Sequence, residues 1–349
     1  MNMRSGFVLP LTLLVIALLV SIVTRMSYVG WSAVAFDRTI VDREQARLLA
    51  LSGLQCAINT LTIIPEKNEE GRSVQPVTPD ALHKKLIERI FPLMSTWRSI
   101  ELQEKVDVIE GRIQFCLTCE NGKINLNKLF DFSQKKWANE ALVKKLCERI
   151  EALVGTRELF KQITDFLVQR GYPLDDITEL LGSTQEGKLL IPALQVFKDA
   201  VFYVPPKKNN DTSGQKRPVY LADIFTVFTS DARVEPWFFS DGLCAILGLR
   251  RVHNDEREQR EQDVEQWIVH FRPTVAWATA WNSSLAKVYE KQFSTFSWAE
   301  SLLTTQFDPR VFSVVSYGTV GSVTQRLFAI LEQQSTTPTS FVVKKLYWL

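Results

Sequence analysis

Residues 4–24 read RSGFVLPLTLLVIALLVSIVT, and this stretch decides how the rest of the chain is organised. The 18 residues from Phe7 to Thr24 carry no charged side chain. A helix of that length spans about 27 Å, close to the ~30 Å hydrocarbon core of a bilayer. The helical pattern then continues, with more polar residues, to about Ile63. The sequence therefore predicts one long helix, half in lipid and half outside, with the remaining residues on one side of a membrane.

The six residues before Phe7 form a short leader that ends in glycine. This arrangement resembles the prepilins, in which a leader peptidase cleaves after the glycine and the apolar helix stays in the mature protein. The resemblance implies cleavage between Gly6 and Phe7 and methylation of the new amino terminus. Pro10 is compatible with this cleavage because it would be the fourth residue of the helix, where the backbone N–H has no partner to lose.

Two other interpretations of the N-terminus stay open. A secretory signal peptide could use 33–35, Ala-Val-Ala, as its cleavage site. That site lies about ten residues beyond the apolar run, which is farther than is usual for a signal peptide. The charged Arg25 also lies between the run and the site. A plain uncleaved anchor is also compatible with the sequence. Its orientation would be weakly specified because Arg4 and Arg25 flank the apolar run on both sides.

Leu11 would be the fifth residue after the cleavage site. Most pilins and pseudopilins carry a glutamate there, thought to pair with the N-terminal amine of the adjacent subunit. An unpaired ammonium in lipid costs several kcal/mol, so the loss is tolerable mainly in a subunit with no neighbour above it. K-type minor pseudopilins of type II secretion lack this glutamate. The resemblance to that family therefore implies a place at the tip of a filament.

A second resemblance lies at residues 120–129, ENGKINLNKL. This segment is similar to the acidic-G-(K/R)-I-N-L-N-x-L segment of K-type pseudopilins, which closes the first part of the pilin sheet and opens an inserted helical domain. The matching residues are Gly122, Lys123, Ile124, Asn125, Leu126 and Asn127. The Asn-Gly pair at 121–122 predicts a type I′ turn. We expect the amides of Asn125 and Asn127 to tie the extended segment to neighbouring loops rather than to bind a ligand.

The fold predicted for the whole chain is α+β. A long N-terminal helix packs on an antiparallel sheet, as in type IV pilins, and a large all-helical domain is inserted. The predicted segments are a leader at 1–6, the helix at 7–63, the first part of the pilin-like domain at 64–128, the helical insertion at 129–265 and the C-terminal part of the pilin-like domain at 266–349.

Periodicity places the elements within those segments. Strands that share one sheet are predicted at 106–109, 113–118, 311–317, 323–331 and 341–348. Helices in the insertion are predicted at 140–154, 157–171, 174–181 and 191–200. The helix face predicted to be buried on the sheet consists of Val41, Leu48, Leu51, Leu54, Ile58 and Leu61.

Motifs and composition argue against catalysis and against nucleic-acid binding. The sequence contains no nucleophile elbow, zinc-protease motif, P-loop or Rossmann glycine pattern. A net charge of +2 with well-mixed charges lacks the basic footprint of a nucleic-acid binder. We therefore expect no enzyme activity, no catalytic residue, no cofactor and no metal. Cys116 and Cys119 leave a disulfide open, and less readily a metal site. K-type relatives can bind calcium, but no Asp-rich loop supports carrying that over.

The favoured hypothesis is a minor pseudopilin at the tip of the type II secretion pseudopilus. It would cap or initiate assembly and support protein export across the outer membrane. The partners implied are the other minor pseudopilins, the major pseudopilin, prepilin peptidase and inner-membrane lipid. The implied location is the bacterial inner membrane, with a single span and the C-terminal domain in the periplasm. Two alternatives stay open: a membrane-anchored periplasmic enzyme or binding module, and a minor pilin of a type IV pilus.

Overall fold

The predicted long helix is a single element, α1, in the computed structural model, and it spans Val8–Leu61. Its 54 residues correspond to about 81 Å at 1.5 Å per residue. Leu11 lies in α1, whereas Gly6 and Phe7 lie outside the described residues. The residues that the structure describes are 8–62, 90, 93–107, 109–154, 158–181, 221–250, 276–304, 309–334 and 340–348.

Among the described residues, five antiparallel strands form the sheet on which α1 packs, and their spatial order is β1-β2-β7-β8-β9. The strands are β1 Trp97–Leu102, β2 Gly111–Cys119, β7 Val311–Val320, β8 Val323–Gln333 and β9 Phe341–Trp348. Strand β2 pairs directly with β7, with Cys116 opposite Val315. Strands from both ends of the chain therefore share one sheet, which confirms the predicted α+β architecture and four of the five predicted strands.

The first strand lies upstream of its predicted position. Residues 104–107 form a helical turn, α2 Glu104–Asp107, and the strand that pairs with β2 is Trp97–Leu102. The carboxylate of Asp107 accepts a hydrogen bond from the backbone N–H of Gln103 at 2.9 Å, which favours the turn. Val106 is 77% exposed. The prediction of a strand at 106–109 is wrong because residues 104–107 form this helical turn, which ends the extended segment before residue 106.

The face of α1 that packs on the sheet consists mainly of small residues. The buried positions are Ala46, Leu49, Ala50, Gly53, Leu54, Ala57 and Leu61. The predicted face is therefore only partly correct. Leu54 and Leu61 are buried and Ile58 is half-buried, but Val41, Leu48 and Leu51 are exposed.

Close contact between α1 and β7 explains why small residues form this face. A Cβ built at Gly318 would lie 2.0 Å from the carbonyl oxygen of Ala46, and one at Gly53 would lie 2.2 Å from Ser316 Oγ. The hydroxyl of Ser316 donates to the carbonyl oxygen of Ala50 at 2.8 Å. Larger side chains do not fit at these points of closest approach, whereas Leu49, Leu54 and Leu61 are buried beside them.

Between β2 and β7, the described residues of the range 120–304 form a block of short helices, called here the helical block. Its helices are α3 Leu126–Leu129, α4 Glu140–Val154, α5 Leu159–Arg170, α6 Leu221–Ile224, α7 Asp241–Leu247, α8 Trp277–Ser283 and α9 Leu285–Val288. Helix α4 has the predicted bounds, α5 is slightly shorter than predicted, and the third predicted helix is a 3₁₀ turn, Ile177–Leu181. The helix predicted at 191–200 lies outside the described residues.

The helical block is not purely helical. Strand β3 Ile124–Asn125 pairs in parallel with β6 Phe225–Thr226, and β4 Phe130–Asp131 pairs with β5 Lys136–Trp137. Each strand is two residues long, so each pair contributes hydrogen bonds but no sheet surface of its own. The prediction of an all-helical insertion needs this correction. The pairing of residues about one hundred positions apart could not be seen in local periodicity.

Both ends of the helical block are bonded to residues that are distant in sequence. At its start, the backbone N–H groups of Glu235 and Ser240 donate to the carbonyl oxygens of Asn121 and Gly122 at 2.9 and 3.3 Å. At its end, the N–H of Val234 donates to the carbonyl oxygen of Leu302 at 2.6 Å. The sequence pattern does not contain these long-range hydrogen bonds, and the bounds 129–265 stay a prediction.

Candidate assembly surface

The exposed apolar surface of α1 is the first candidate for function. Every described side chain from Thr12 to Val41 is exposed, including Trp31 at 81% and Phe36 at 67%. Among the described residues, α1 is the one helix long and apolar enough to cross a membrane. A bilayer crossing uses about 20 residues, yet large exposed apolar side chains continue to Leu48 and Leu51. The apolar surface of α1 is thus longer than one crossing requires.

The C-terminal part of α1 has two distinct faces. One face, formed by Ala46, Ala50 and Ala57, is fully covered by the sheet. Another carries Val41 and Leu48, which are 53% and 59% exposed. Seven residues separate these two side chains, which places them two turns apart on one side of the helix. Side chains of this size on a solvent-facing side of a helix suit packing against another apolar helix.

Glycine is required at residue 122 for space and not for backbone angle. Its φ is not in the left-handed region, and residues 120–122 form a 3₁₀ turn closed by a hydrogen bond from Lys123 N to Glu120 O at 3.0 Å. The predicted type I′ turn is therefore wrong. A Cβ at Gly122 would lie 1.6 Å from the carbonyl oxygen of Phe238. This glycine lets the segment contact the backbone of the 3₁₀ turn Pro236–Phe238.

Lys123 and Glu120 form a buried ion pair beside that turn. Each side chain is only 3% exposed, and Lys123 Nζ lies within hydrogen-bonding distance of Glu120 Oε1. Lys123 Nζ also donates to Ser313 Oγ of β7 at 3.2 Å. The two charges are therefore satisfied inside the protein. The spacing of three residues was the one signal in the sequence that could have predicted this pair.

The remaining residues of the segment hold it in place. Ile124 and Leu126 are buried in the core. Asn125 Nδ2 donates to the carbonyl oxygen of Thr229 at 2.6 Å. Asn127 makes two hydrogen bonds with the backbone of Leu174, of 2.7 and 2.8 Å. The expected structural role of both amides is confirmed, although Asn127 lies in α3 and not in an extended segment.

The two cysteines of β2 carry free, buried thiols. Burial raises the pKa of Cys116 and of Cys119 above its ordinary value, and the nearby carboxylates add to the effect. The thiol of Cys119 faces Val311 O at 3.6 Å. Within the part of the chain that the structure describes, no group of three or more His, Cys, Asp or Glu residues could hold a metal ion.

Strand β9 makes contacts that the sequence analysis missed. Lys345 Nζ donates to the carbonyl oxygen of Asp175 at 2.6 Å and lies 3.6 Å from a carboxylate oxygen of Asp176, which links the edge of the sheet to the helical block. Three residues later in β9, the guanidinium of Arg47 lies 4.7 Å from the centre of the Trp348 ring, which joins the strand to α1. A favourable cation–π contact of this kind has no local sequence signature.

No protein-family model and no curated protein matches the sequence. Among solved structures, the chain is similar to one chain of the GspK-GspI-GspJ complex from the type 2 secretion system of enterotoxigenic Escherichia coli. The two sequences are 16% identical, and the TM-score is 0.42. The superposition covers 90% of this chain and 99% of the other.

Proposed function

We propose that this chain is a K-type minor pseudopilin that forms the tip of a type II secretion pseudopilus. The observation that carries the proposal is the division of α1. Small residues from Ala46 onward lie against an antiparallel sheet, while every described side chain from Thr12 to Val41 is exposed, as is Leu48 on another face. A helix built this way anchors a folded domain in a membrane and offers neighbouring subunits an apolar side to pack on.

The assembly surface would be the part of α1 that carries Val34, Val41 and Leu48. Its partners would be the apolar N-terminal helices of the other minor pseudopilins and of the major pseudopilin. Before assembly, lipid of the bacterial inner membrane would cover the first turns, with the sheet and the helical block in the periplasm. The activity of the protein would be association, in support of protein export across the outer membrane, and not catalysis.

Two features of the chain support the tip position. Leu11 supplies no carboxylate for the terminal ammonium of a subunit above it, and such an ammonium is costly in a low-dielectric environment. The helical block is the second feature. It contacts β7 at Ser313, whereas α1 contacts the same strand at Ser316. The two serines are three positions apart in β7, so their side chains face opposite sides of the sheet, and the block adds bulk on the side away from α1.

The N-terminus tests the proposal first. We expect prepilin peptidase to remove residues 1–6, so that mass spectrometry of the protein from a host that has the peptidase finds a mature chain beginning at a methylated Phe7. Gly6→Val should leave the leader attached, and Ser5→Ala, next to it, should not. A native chain that begins at Met1, or at Phe36 after a signal-peptidase cut, would contradict the proposal.

A further inference from the structure

The segment 120–123 begins the helical block and is bonded both to the sheet and to later residues of the block. Towards the sheet, Lys123 Nζ donates to Ser313 Oγ of β7 at 3.2 Å, and this hydroxyl lies 2.6 Å from Thr118 Oγ1 of β2. The lysine thus reaches two neighbouring strands through one chain of hydrogen bonds. Its own charge is balanced by Glu120, from the same turn.

Towards the helical block, the same turn is held by its backbone and by Asn121. The amide of Asn121 donates to Glu235 Oε1 at 2.9 Å. The backbone N–H of Glu235 donates in return to the carbonyl oxygen of Asn121, and that of Ser240 to the carbonyl oxygen of Gly122. Because the turn is bonded on both sides, any rotation of the block on the sheet has to break one of these two sets of bonds.

A buried ion pair is a poor way to gain stability. Removing two charges from water costs several kcal/mol for each ion, and an apolar pair of similar volume is often equally stable or more so. Direction is what the pair adds. Lys123 must point to Glu120 and Ser313 together, because an ammonium left without these partners in the core would be strongly unfavourable. An apolar contact at the same place would allow many angles between the helical block and the sheet.

We propose that Glu120 and Lys123 are positioning residues that fix the orientation of the helical block on the sheet. They thereby fix the direction in which the block presents its outer surface to other molecules. The other contact described above, from Lys345 to Asp175 and Asp176, uses a lysine side chain that is 31% exposed. Solvent and salt weaken such a contact, so it cannot set the angle alone. The inference goes beyond the proposed function and holds whatever assembly the chain joins.

The test is a distance measured between the two parts of the full-length protein in detergent micelles. Spin labels are attached to Ser322→Cys, on the exposed β7–β8 turn, and to Glu148→Cys, on the exposed side of α4, in a Cys56→Ser background. The double variant Glu120→Gln/Lys123→Met removes both charges and leaves no ion unpaired. We expect it to stay folded with nearly unchanged thermal stability, while the distribution of label distances becomes about twofold broader.

The matched control removes an ion pair that is exposed. Arg112 and Glu101 lie 2.6 Å apart between β1 and β2, with side chains 51% and 60% exposed. The control variant Glu101→Gln/Arg112→Met should leave the distance distribution as narrow as in the parent protein. A double variant at 120 and 123 that folds and keeps the narrow distribution would overturn the inference.

A second measurement needs no variant. It tests whether the junction between the helical block and the sheet is rigid, even if the double variant does not fold. In hydrogen exchange of the parent protein, the amides of Glu235 and Ser240 report the bonds to the turn. We expect them to exchange within about tenfold of the slowest amides of β7, since the junction would open only with the sheet itself. Exchange as fast as that of exposed loop amides would show that the junction opens freely, and it would overturn the inference.

Discussion

At the scale of single residues, Gly122 has the clearest requirement for its type. The space that a Cβ would need is occupied by the carbonyl group of Phe238. Gly122→Ala should therefore force the helical block away from the turn and lower the free energy of unfolding by about 1–3 kcal/mol or more. Gly30→Ala is the matched control, because nothing lies within 4 Å of a Cβ at Gly30. Thermal unfolding in detergent compares the two, and equal stability of both variants would contradict the account.

Buried thiols give a second prediction at this scale. Burial, together with the charges of Glu151 and Glu148, raises the pKa of Cys147 from 9.0 to about 12, and burial also raises the pKa of Cys116 and Cys119. A maleimide at pH 7 should modify mainly Cys56, the one half-buried cysteine, until denaturant exposes the others. Mass spectrometry of the labelled chain gives the number of modified cysteines. Rapid labelling of Cys116 or Cys119 in the folded protein would contradict the burial described.

The same thiols make stability depend on pH with a definite sign. Folding favours the neutral thiol, because the pKa is higher in the folded than in the unfolded chain. Their contribution is therefore complete below pH 9 and is lost as the pH rises towards about 12. Unfolding titrations between pH 8 and pH 10 should show the decline, and a Cys147→Ala variant should reduce it. A rise in stability over this range would contradict the assigned cause. These are expectations for the reduced protein.

At the scale of elements, periodicity predicted α1 and most of the sheet, because both have strong repeating patterns. It did not predict which face of α1 is buried. Large apolar residues such as Leu48 and small ones such as Ala50 both recur with helical spacing, and a search for large apolar residues selects the wrong ones. What distinguishes them is the contact with Gly318 on β7, more than 250 residues away. Local pattern cannot supply a contact at that distance.

Two substitutions on α1 separate its faces. Ala50→Leu places a large side chain where the backbone approaches β7, and it should lower the free energy of unfolding by about 1–3 kcal/mol or more. Leu48→Ala removes an exposed side chain and should change stability by no more than about 0.5 kcal/mol. Under the proposed function, Leu48→Ala should instead weaken association with sister subunits. Chemical unfolding measures the stability of each variant, and co-purification measures its association with sister subunits. A Leu48→Ala variant less stable than Ala50→Leu would contradict the assignment of the faces.

At the scale of the whole molecule, the motif segment was predicted to open the insertion, and its position in the structure is compatible with that role. The Asn-Gly pair predicted a type I′ turn, but the segment forms a 3₁₀ turn. A type I′ turn reflects a local preference of the Asn-Gly pair. Glycine is required at residue 122 because the backbone of Phe238, over one hundred residues later, leaves no space for a Cβ. The same reason applies to the hydrogen bonds that Val234, Glu235 and Ser240 make at the ends of the helical block, because their partners are distant in sequence. Local patterns thus predicted the helices and strands correctly in most cases. They did not predict features that depend on contacts between distant segments.

The central claim is that this chain occupies the tip of a filament and has neighbours on one side only. Its exposed surfaces allow that to be tested with single cysteines in a Cys56→Ser background. Val34→Cys and Leu48→Cys report the exposed side of α1, and Tyr172→Cys, at a residue 57% exposed, reports the helical block. Each variant is cross-linked in membranes that contain the assembled secretion system, and the partner of each link is identified by mass spectrometry.

We expect Val34→Cys and Leu48→Cys to link to the helices of sister pseudopilins, and Tyr172→Cys to link to none of them. A buried position, Ala50→Cys, is unsuitable as a control because it would disturb the fold, so the parent Cys56→Ser protein serves instead. Links from both α1 and the helical block to pseudopilins would place subunits below and above this chain, as for a repeated filament subunit. That result would contradict the tip assignment.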